Sequence, residues 1–282
     1  AGNKSVLAMS SSAALTGEAY DVGNDNQAPF IMHMAVWQAQ VEQNLVLVAR
    51  TEDDRSLGAN VPQVVWKAGT DSSLPNLTSG ATATNCVLKE SNYYTCTIAW
   101  NGSWNSTYVI GYYLKTQDER GNIRYMSASP EADMQGSLSL VQANPFLINF
   151  LTADADPLGD YQDSDGSSDL SGNAFQSNGS VFANGQQPYV YLEGTAIGTF
   201  RADDTTGAFT IPDNKLIPGS FKLVAFKEGY MDMMKDVFRG DSSINIYLNQ
   251  GIMLFGKGGG EMPMVTWTAP NDGMTGVPRN IF

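Results

Sequence analysis

Six carboxylates crowd one short stretch of the chain. Asp154, Asp156, Asp160, Asp163, Asp165 and Asp169 stand in DADPLGDYQDSDGSSD, with Gly159 and Gly166 permitting sharp turns. Carboxylates spaced this closely on irregular backbone are how calcium loops gather six to eight oxygen ligands, and their mutual repulsion falls when a cation joins them. The EF-hand pattern with its final bidentate Glu is missing, so the loop is a candidate Ca2+ site and, on the other reading, a solvated acidic linker. Cys86 and Cys96, the only two cysteines, flank VLKESNYYT, which reads as a hairpin. A disulfide between them would add roughly 3 kcal/mol by closing a loop of about ten residues, and it implies an oxidising compartment. Two buried thiols are the alternative.

Asn-x-Ser/Thr acceptors stand at Asn3, Asn76, Asn101, Asn105 and Asn178, with Asn101 and Asn105 together in the turn-like WNGSWNST. They are candidate glycosylation sites, although a sequence this rich in Asn, Ser and Thr produces some by chance. Trp100 and Trp104 in the same stretch suit either an aromatic sugar platform or the cover of a hydrophobic core, and the core is the more ordinary use. For catalysis there is little. His33, the single histidine, lies in an apolar stretch without a partner motif and reads as a packed residue. G-x-S-x-G, H-E-x-x-H and a phosphate-cradling glycine loop are all absent, and GKGGG at 256–260 lacks the Walker spacing and its Lys-Ser/Thr ending. No residue is assigned a catalytic or organic-cofactor role.

The elements that must carry these residues are short strands. A chain of 282 residues holds two or three domains, and 42 % hydrophobic residues with 12 Phe, 12 Tyr and 5 Trp is a composition that packs. Twenty-nine acids against 16 Lys and Arg leave a net charge of −13, which repels a phosphate backbone and excludes nucleic acid as a partner. No apolar run approaches the roughly 20 residues of a membrane helix, FLINFL at 146–151 being one of the longest. The N-terminal stretch also lacks the apolar centre of a secretory signal. Segments 30–37, 45–50, 61–66, 86–88, 93–100, 108–115 and 123–126 are rich in Val, Ile, Tyr and Trp and are separated by Gly, Asn, Asp and Ser. They predict seven strands, the count of an immunoglobulin-like sandwich. Between Arg124 and Arg201 there is no Lys or Arg but nine acids, and a boundary is expected near 130–145.

NDNQAPFI, NLVLVARTEDD and YVIGYYLKTQDERGNIRY resemble extracellular immunoglobulin-like or fibronectin III-like modules, through Tyr112, Tyr113, Asp118, Gly121 and Asn122 of the last hairpin. The 70-residue stretch after the acidic loop resembles a carboxypeptidase regulatory-like domain, a small prealbumin-like sandwich. Asp203 or Asp204, Gly207, Phe209, Ile211, Leu216, Pro218, Gly219, Phe221, Leu223, Ala225, Gly229 and Tyr230 carry that match; Phe221 replaces a frequent Tyr, and the turn has an extra Asp. Alternation within it places Phe209 and Ile211 on one side, as it does Phe221, Leu223 and Ala225. Finally, MPMVTWTAPNDGMTGVPRNIF is similar to the opening of a bacterial immunoglobulin-like module through Pro270, Asp272, Gly273, Gly276, Val277, Pro278 and Asn280.

The expected architecture is therefore all-β, with tandem β-sandwich domains. It comprises an N-terminal extension (1–28), an Ig/fibronectin III-like sandwich (29–130), a linker with the acidic loop (131–172), a carboxypeptidase regulatory-like sandwich (173–250), and a Gly-rich linker with a first strand of a further module (251–282). These resemblances imply a non-catalytic structural or adhesive protein of an extracellular surface or filament; the alternative is an accessory, substrate-binding or spacer part of a secreted hydrolase. Its partners would be other copies or surface proteins joined by strand addition at the chain's ends, with carbohydrate as a further candidate.

Overall fold

The computed structural model describes residues 27–53, 57, 59–129, 137–151, 169–217 and 219–251. The described chain is all-β apart from one short helix and a 3-10 turn, and its strands form two sandwiches.

The first unit contains β1 (Phe30–Met32), β2 (Gln38–Gln40), β3 (Leu45–Glu52), β4 (Gln63–Thr70), β5 (Thr82–Asn85), β6 (Val87–Glu90), β7 (Tyr93–Ile98), β8 (Tyr108–Gln117) and β9 (Ile123–Met126). Helix α1 (Leu138–Ala143) and β10 (Phe146–Leu151) complete it. One sheet runs β1-β3-β7-β6; the other runs β2-β10-β8-β4-β5, with β9 also on β8. Strand periodicity sends Leu45, Leu47 and Ala49 inward with Tyr94, Cys96 and Ile98, to meet Val64, Ile110, Tyr112 and Leu114 from the facing sheet. Cys86 and Cys96 are disulfide-bonded within this core. Reduction should cost the first unit about 3 kcal/mol, the loop-closure value for ten residues. Intact mass should differ by two protons with and without reductant, and an unchanged unfolding midpoint after reduction would contradict the assignment.

Two elements depart from the sequence expectation. The apolar stretch 30–37 is not one strand: β1 pairs with β3, the chain crosses at His33, and β2 pairs with the opposite sheet. The second correction concerns 131–172, expected to be linker and loop, because 146–151 is a strand of the first core. Phe146, Ile148 and Phe150 alternate inward, while β10 pairs antiparallel with β8 and parallel with β2. Strand β8 is ten residues long; β9 occupies one half of its edge, opposite Leu114–Gln117 in number order, and β10 the half that includes Val109 and Tyr112. The chain leaves and re-enters at one point, where the Ala128 amide donates to the Asn144 carbonyl (3.1 Å). Within the excursion, α1 sets Val141 over Val65, Leu77, Tyr113 and Tyr125, sealing the outer face of that sheet.

The second unit contains β11 (Leu170–Gln176), β12 (Tyr189–Leu192), β13 (Phe200–Arg201), β14 (Ala208–Ile211), a 3-10 turn (Asp213–Lys215), β15 (Ser220–Phe226), β16 (Met233–Phe238) and β17 (Ile244–Leu248). Its sheets run β14-β11-β17 and β13-β12-β15-β16. Phe209, Ile211, Leu223 and Ala225 enter the shared core with Leu170, Val190, Leu192, Ile246 and Leu248, and Phe221 packs at its margin. Gly172 is dictated by its neighbours: a Cβ there would collide with the Ile244 carbonyl oxygen and press on Phe209.

Candidate functional site

The densest buried polar chemistry among the described residues lies where the two sandwiches meet. The outer face of β3 and β7 packs on the outer face of β12 and β15, so the four sheets are stacked. Val48, Tyr93 and Phe226 form the buried centre, with Tyr189 and Tyr191 beside them. Phe226 stacks on Tyr93 at 4.0 Å between ring centres and lies near-parallel to Tyr189 at 5.7 Å.

One end of this aromatic centre is charged. Asp232 Oδ2 accepts hydrogen bonds from Arg50 Nη1 (2.8 Å) and from the Tyr93 hydroxyl (2.7 Å). The Arg50 guanidinium also pairs with Glu52 and lies 5.5 Å from the Tyr93 ring centre. Burial pushes the Asp232 carboxyl above the usual carboxylate range, against the Tyr93 hydrogen bond and the Arg50 charge. Burial opposes the Arg50 charge, yet Asp232, Tyr93 and Glu52 raise its pKa above the ordinary value. The Tyr93 hydroxyl is driven far upward by burial and then by Asp232, so it stays a donor. Nearby, Lys227 of the second unit forms an ion pair with Glu90 of the first, both largely enclosed.

The other end is fastened through backbone. The Val46 amide donates to the Ala196 carbonyl (2.6 Å), and Val46 forms a parallel bridge with Ile197. Gln40 Nε2 donates to the Leu216 carbonyl (2.6 Å) and Gln43 Nε2 to the Asn214 carbonyl (2.7 Å). Gly198, at φ +80°, admits this approach, since a Cβ would stand 2.8 Å from Val46 Cγ1. The ionised groups at this junction are engaged with one another, which is the chemistry of a joint.

The residues singled out from sequence are placed as follows. Asp154, Asp156, Asp160, Asp163 and Asp165 lie outside the described residues. Asp169 is described, and its Oδ1 accepts from the Asp213 amide (2.9 Å). Trp104 is buried and edge-packed on Trp66 and Trp100, while Trp100 meets Phe150 edge-on; the pair covers the first core and forms no flat platform. Asn3 lies outside the described residues. Asn76, Asn101, Asn105 and Asn178 are exposed, and each Oδ1 accepts the amide of the Ser or Thr two residues on, at 2.9–3.0 Å. In the first three the hydroxyl of that Ser or Thr donates to the same oxygen, so the acceptor triplets sit in tight surface turns.

His33 is a structural residue. A carbonyl can only accept, so Nδ1 carries the proton and donates to Val48 (2.7 Å), leaving Nε2 to accept from the Tyr112 hydroxyl (2.8 Å). Tyr112 Oη in turn accepts the Val36 amide (3.1 Å). Burial lowers the His33 pKa to about 4, partly offset by the Val48 hydrogen bond.

Arg50, Tyr93, Phe226 and Asp232 were not among the expected site residues. A signal was present in LVLVA at 45–49 and LVAF at 223–226: strands with only one covered face alternate, and these do not.

No family model matches the chain, and no curated protein matches it. Among solved structures it is similar to SGBP-B of the Bacteroides ovatus mixed-linkage glucan utilization locus, solved with a mixed-linkage heptasaccharide. The identity is 11 % and the TM-score 0.19, over 76 % of this chain and 47 % of that one, so this chain spans about half that protein's length.

Proposed function

We propose that this chain is a non-catalytic structural or adhesive module of an extracellular surface, built as two β-sandwiches fastened into one stiff unit. The observation that carries the reading is the joint: a buried aromatic stack closed at one end by Arg50, Tyr93 and Asp232 and at the other by the Val46–Ala196 backbone bond. A joint of this kind holds two domains at a fixed angle, which suits a load-bearing spacer better than a hinge. The buried Cys86–Cys96 bond supports an oxidising location. No helix among the described residues is long and apolar enough to cross a membrane.

Family membership belongs to the same proposal. The sheet orders β1-β3-β7-β6 and β10-β8-β4-β5, with parallel β2 beside β10, support an immunoglobulin-like reading of the first unit. The three- and four-stranded sheets of the second support the prealbumin-like one. Calcium at 154–169 and strand addition by the chain's ends are further proposals. For the latter, β6 is an edge strand with Val87 and Leu88 exposed, the kind of open ladder that an added strand completes. Immunogold labelling of intact, unpermeabilised cells of the source organism tests the assignment: label on the envelope or on appendages is the expected result, and label confined to the cytosol would overturn it.

A further inference from the structure

Strand β6 ends the sheet β1-β3-β7-β6, with β7 on one side and no strand on the other among the described residues. Val87 lies opposite Thr95, which is itself opposite Val48, and so belongs to the joint face of that sheet; Leu88 lies opposite the inward Tyr94 and so belongs to the core face. Both are more than half exposed, at 61 % and 54 %. An edge left open with apolar side chains on both faces invites another strand, and proteins cover or guard such edges. Here the guard is partial: the register on β7 shifts between Leu88 and Glu90, and exposed Lys89 sits at that irregularity, which protects only the Glu90 end. The Cys86–Cys96 bond ties the chain to β7 immediately before Val87, so the open ladder is a fixed template.

The chain leaves the second unit beside this edge. The Gly251 amide donates to the Gly229 carbonyl (2.9 Å), and Gly229 stands in the turn that Tyr230 closes by donating to the Lys227 carbonyl (3.0 Å). Lys227 is the residue whose ammonium pairs with Glu90, the last residue of β6. Residues 252–263, with GKGGG among them, read as a linker of roughly 12 residues; fully extended it reaches about 40 Å, and as a flexible coil it spans about 20 Å. MVTWT at 264–268 follows, set between Pro263 and Pro270 and rich in strand-favouring residues. Alternation places Val265 and Trp267 on one face and Met264 and Thr266 on the other. A strand of this pattern brings apolar side chains to both faces, as Val87 and Leu88 require. Its tether sets an effective concentration on the order of millimolar, which favours the chain's own edge over that of a second copy at micromolar concentration.

We propose that residues 264–268 add to the open edge of β6 in the same chain, as a fifth strand of the four-stranded sheet. The added strand supplies the missing ladder partners and covers Val87 and Leu88. Because the segment leaves from the second unit and ends on the first, it straps the two sandwiches together across the joint. The inference rests on the strand-addition reading above and deepens it, by naming the donor, the acceptor and the chain to which both belong.

The full chain carrying a benzophenone side chain in place of the exposed Leu88 tests the contact. Irradiated at micromolar concentration and mapped by mass spectrometry, it should cross-link to residues 262–270 within a single chain. Cross-linked dimers as the main product would give the edge to a second copy, and no cross-link to 262–270 would leave it without this donor; either result overturns the proposal. Val265→Pro combined with Trp267→Pro removes two ladder donors from the segment and alters neither sandwich, so circular dichroism should match the parent's. Hydrogen exchange across residues 86–90 should be about tenfold faster or more in that variant, because the outward amides of β6 lose their partners. Equal exchange in parent and variant would also overturn the proposal. Envelope labelling without the cross-link would retain the surface reading and remove the strap, whereas the cross-link with cytosolic label would do the reverse.

Discussion

Phe226→Ala should uncouple the two sandwiches while leaving both folded. Phe226 is fully buried, but among the residues of the joint and not in either core. Truncating a buried Phe costs about 3–5 kcal/mol, the lost transfer energy together with the cavity left behind. Here that loss falls on the contact between units, because the inner-face residues Leu223 and Ala225 of the same strand are untouched. A calorimetric scan of the parent should show one cooperative transition, and the variant should show two. Small-angle scattering should report a larger radius of gyration for the variant. Asp232→Asn, which keeps the shape of the side chain but removes its charge beside Arg50, should move both readouts in the same direction by a smaller amount. A single, unshifted transition in Phe226→Ala would show that the joint contributes no coupling.

Acidification between pH 6.5 and 4 should destabilise the first unit through one residue. The His33 pKa falls from 6.5 in the unfolded chain to about 4 in the folded one, because burial disfavours the imidazolium. Within that window the unfolded chain binds the extra proton and the folded chain does not. The contribution is therefore complete above pH 6.5, declines as the pH falls, and is exhausted near pH 4. Its size is about 3 kcal/mol from the linkage relation. Urea midpoints measured from pH 7 to 4 on the parent and on His33→Gln isolate it from the carboxylates, which titrate in both proteins. The parent should lose more stability than the variant across the window, and parallel curves would contradict the buried-histidine account.

Much of the strand pattern was readable in the residues. Leu45, Leu47 and Ala49, or Leu223 and Ala225, point inward because period-2 spacing leaves them no other choice. The disulfide was readable because only two cysteines exist and they flank a hairpin. The joint was harder, since its partners are separated by 182 residues in the case of Arg50 and Asp232, and local spacing carries no information about such a pair. Its one trace was the unbroken apolar character of the two strands that meet there. FLINFL was misplaced for a related reason: it follows a 19-residue excursion at 127–145, and an acidic, turn-rich neighbourhood masks a strand that completes an earlier sheet. Trp100 and Trp104 were ambiguous because an aromatic pair in a turn looks alike whether it faces a ligand or a core; only Phe150, from the returning strand, decides it.

Both units share one feature of topology with a mechanical consequence. In the first, early strand β2 lies parallel to late strand β10; in the second, opening strand β11 lies parallel to closing strand β17 through five residue pairs. Tension along the chain pulls the start of the early strand and the end of the late strand in opposite directions. Parallel neighbours pulled in this way slide past one another, so their hydrogen bonds are loaded together in shear. A hairpin pulled from its open end instead peels one bond at a time. The second sandwich is thus closed against force by the pair of strands through which the force enters and leaves, and in the first the parallel pair β2 and β10 takes the load once β1 has parted from β3.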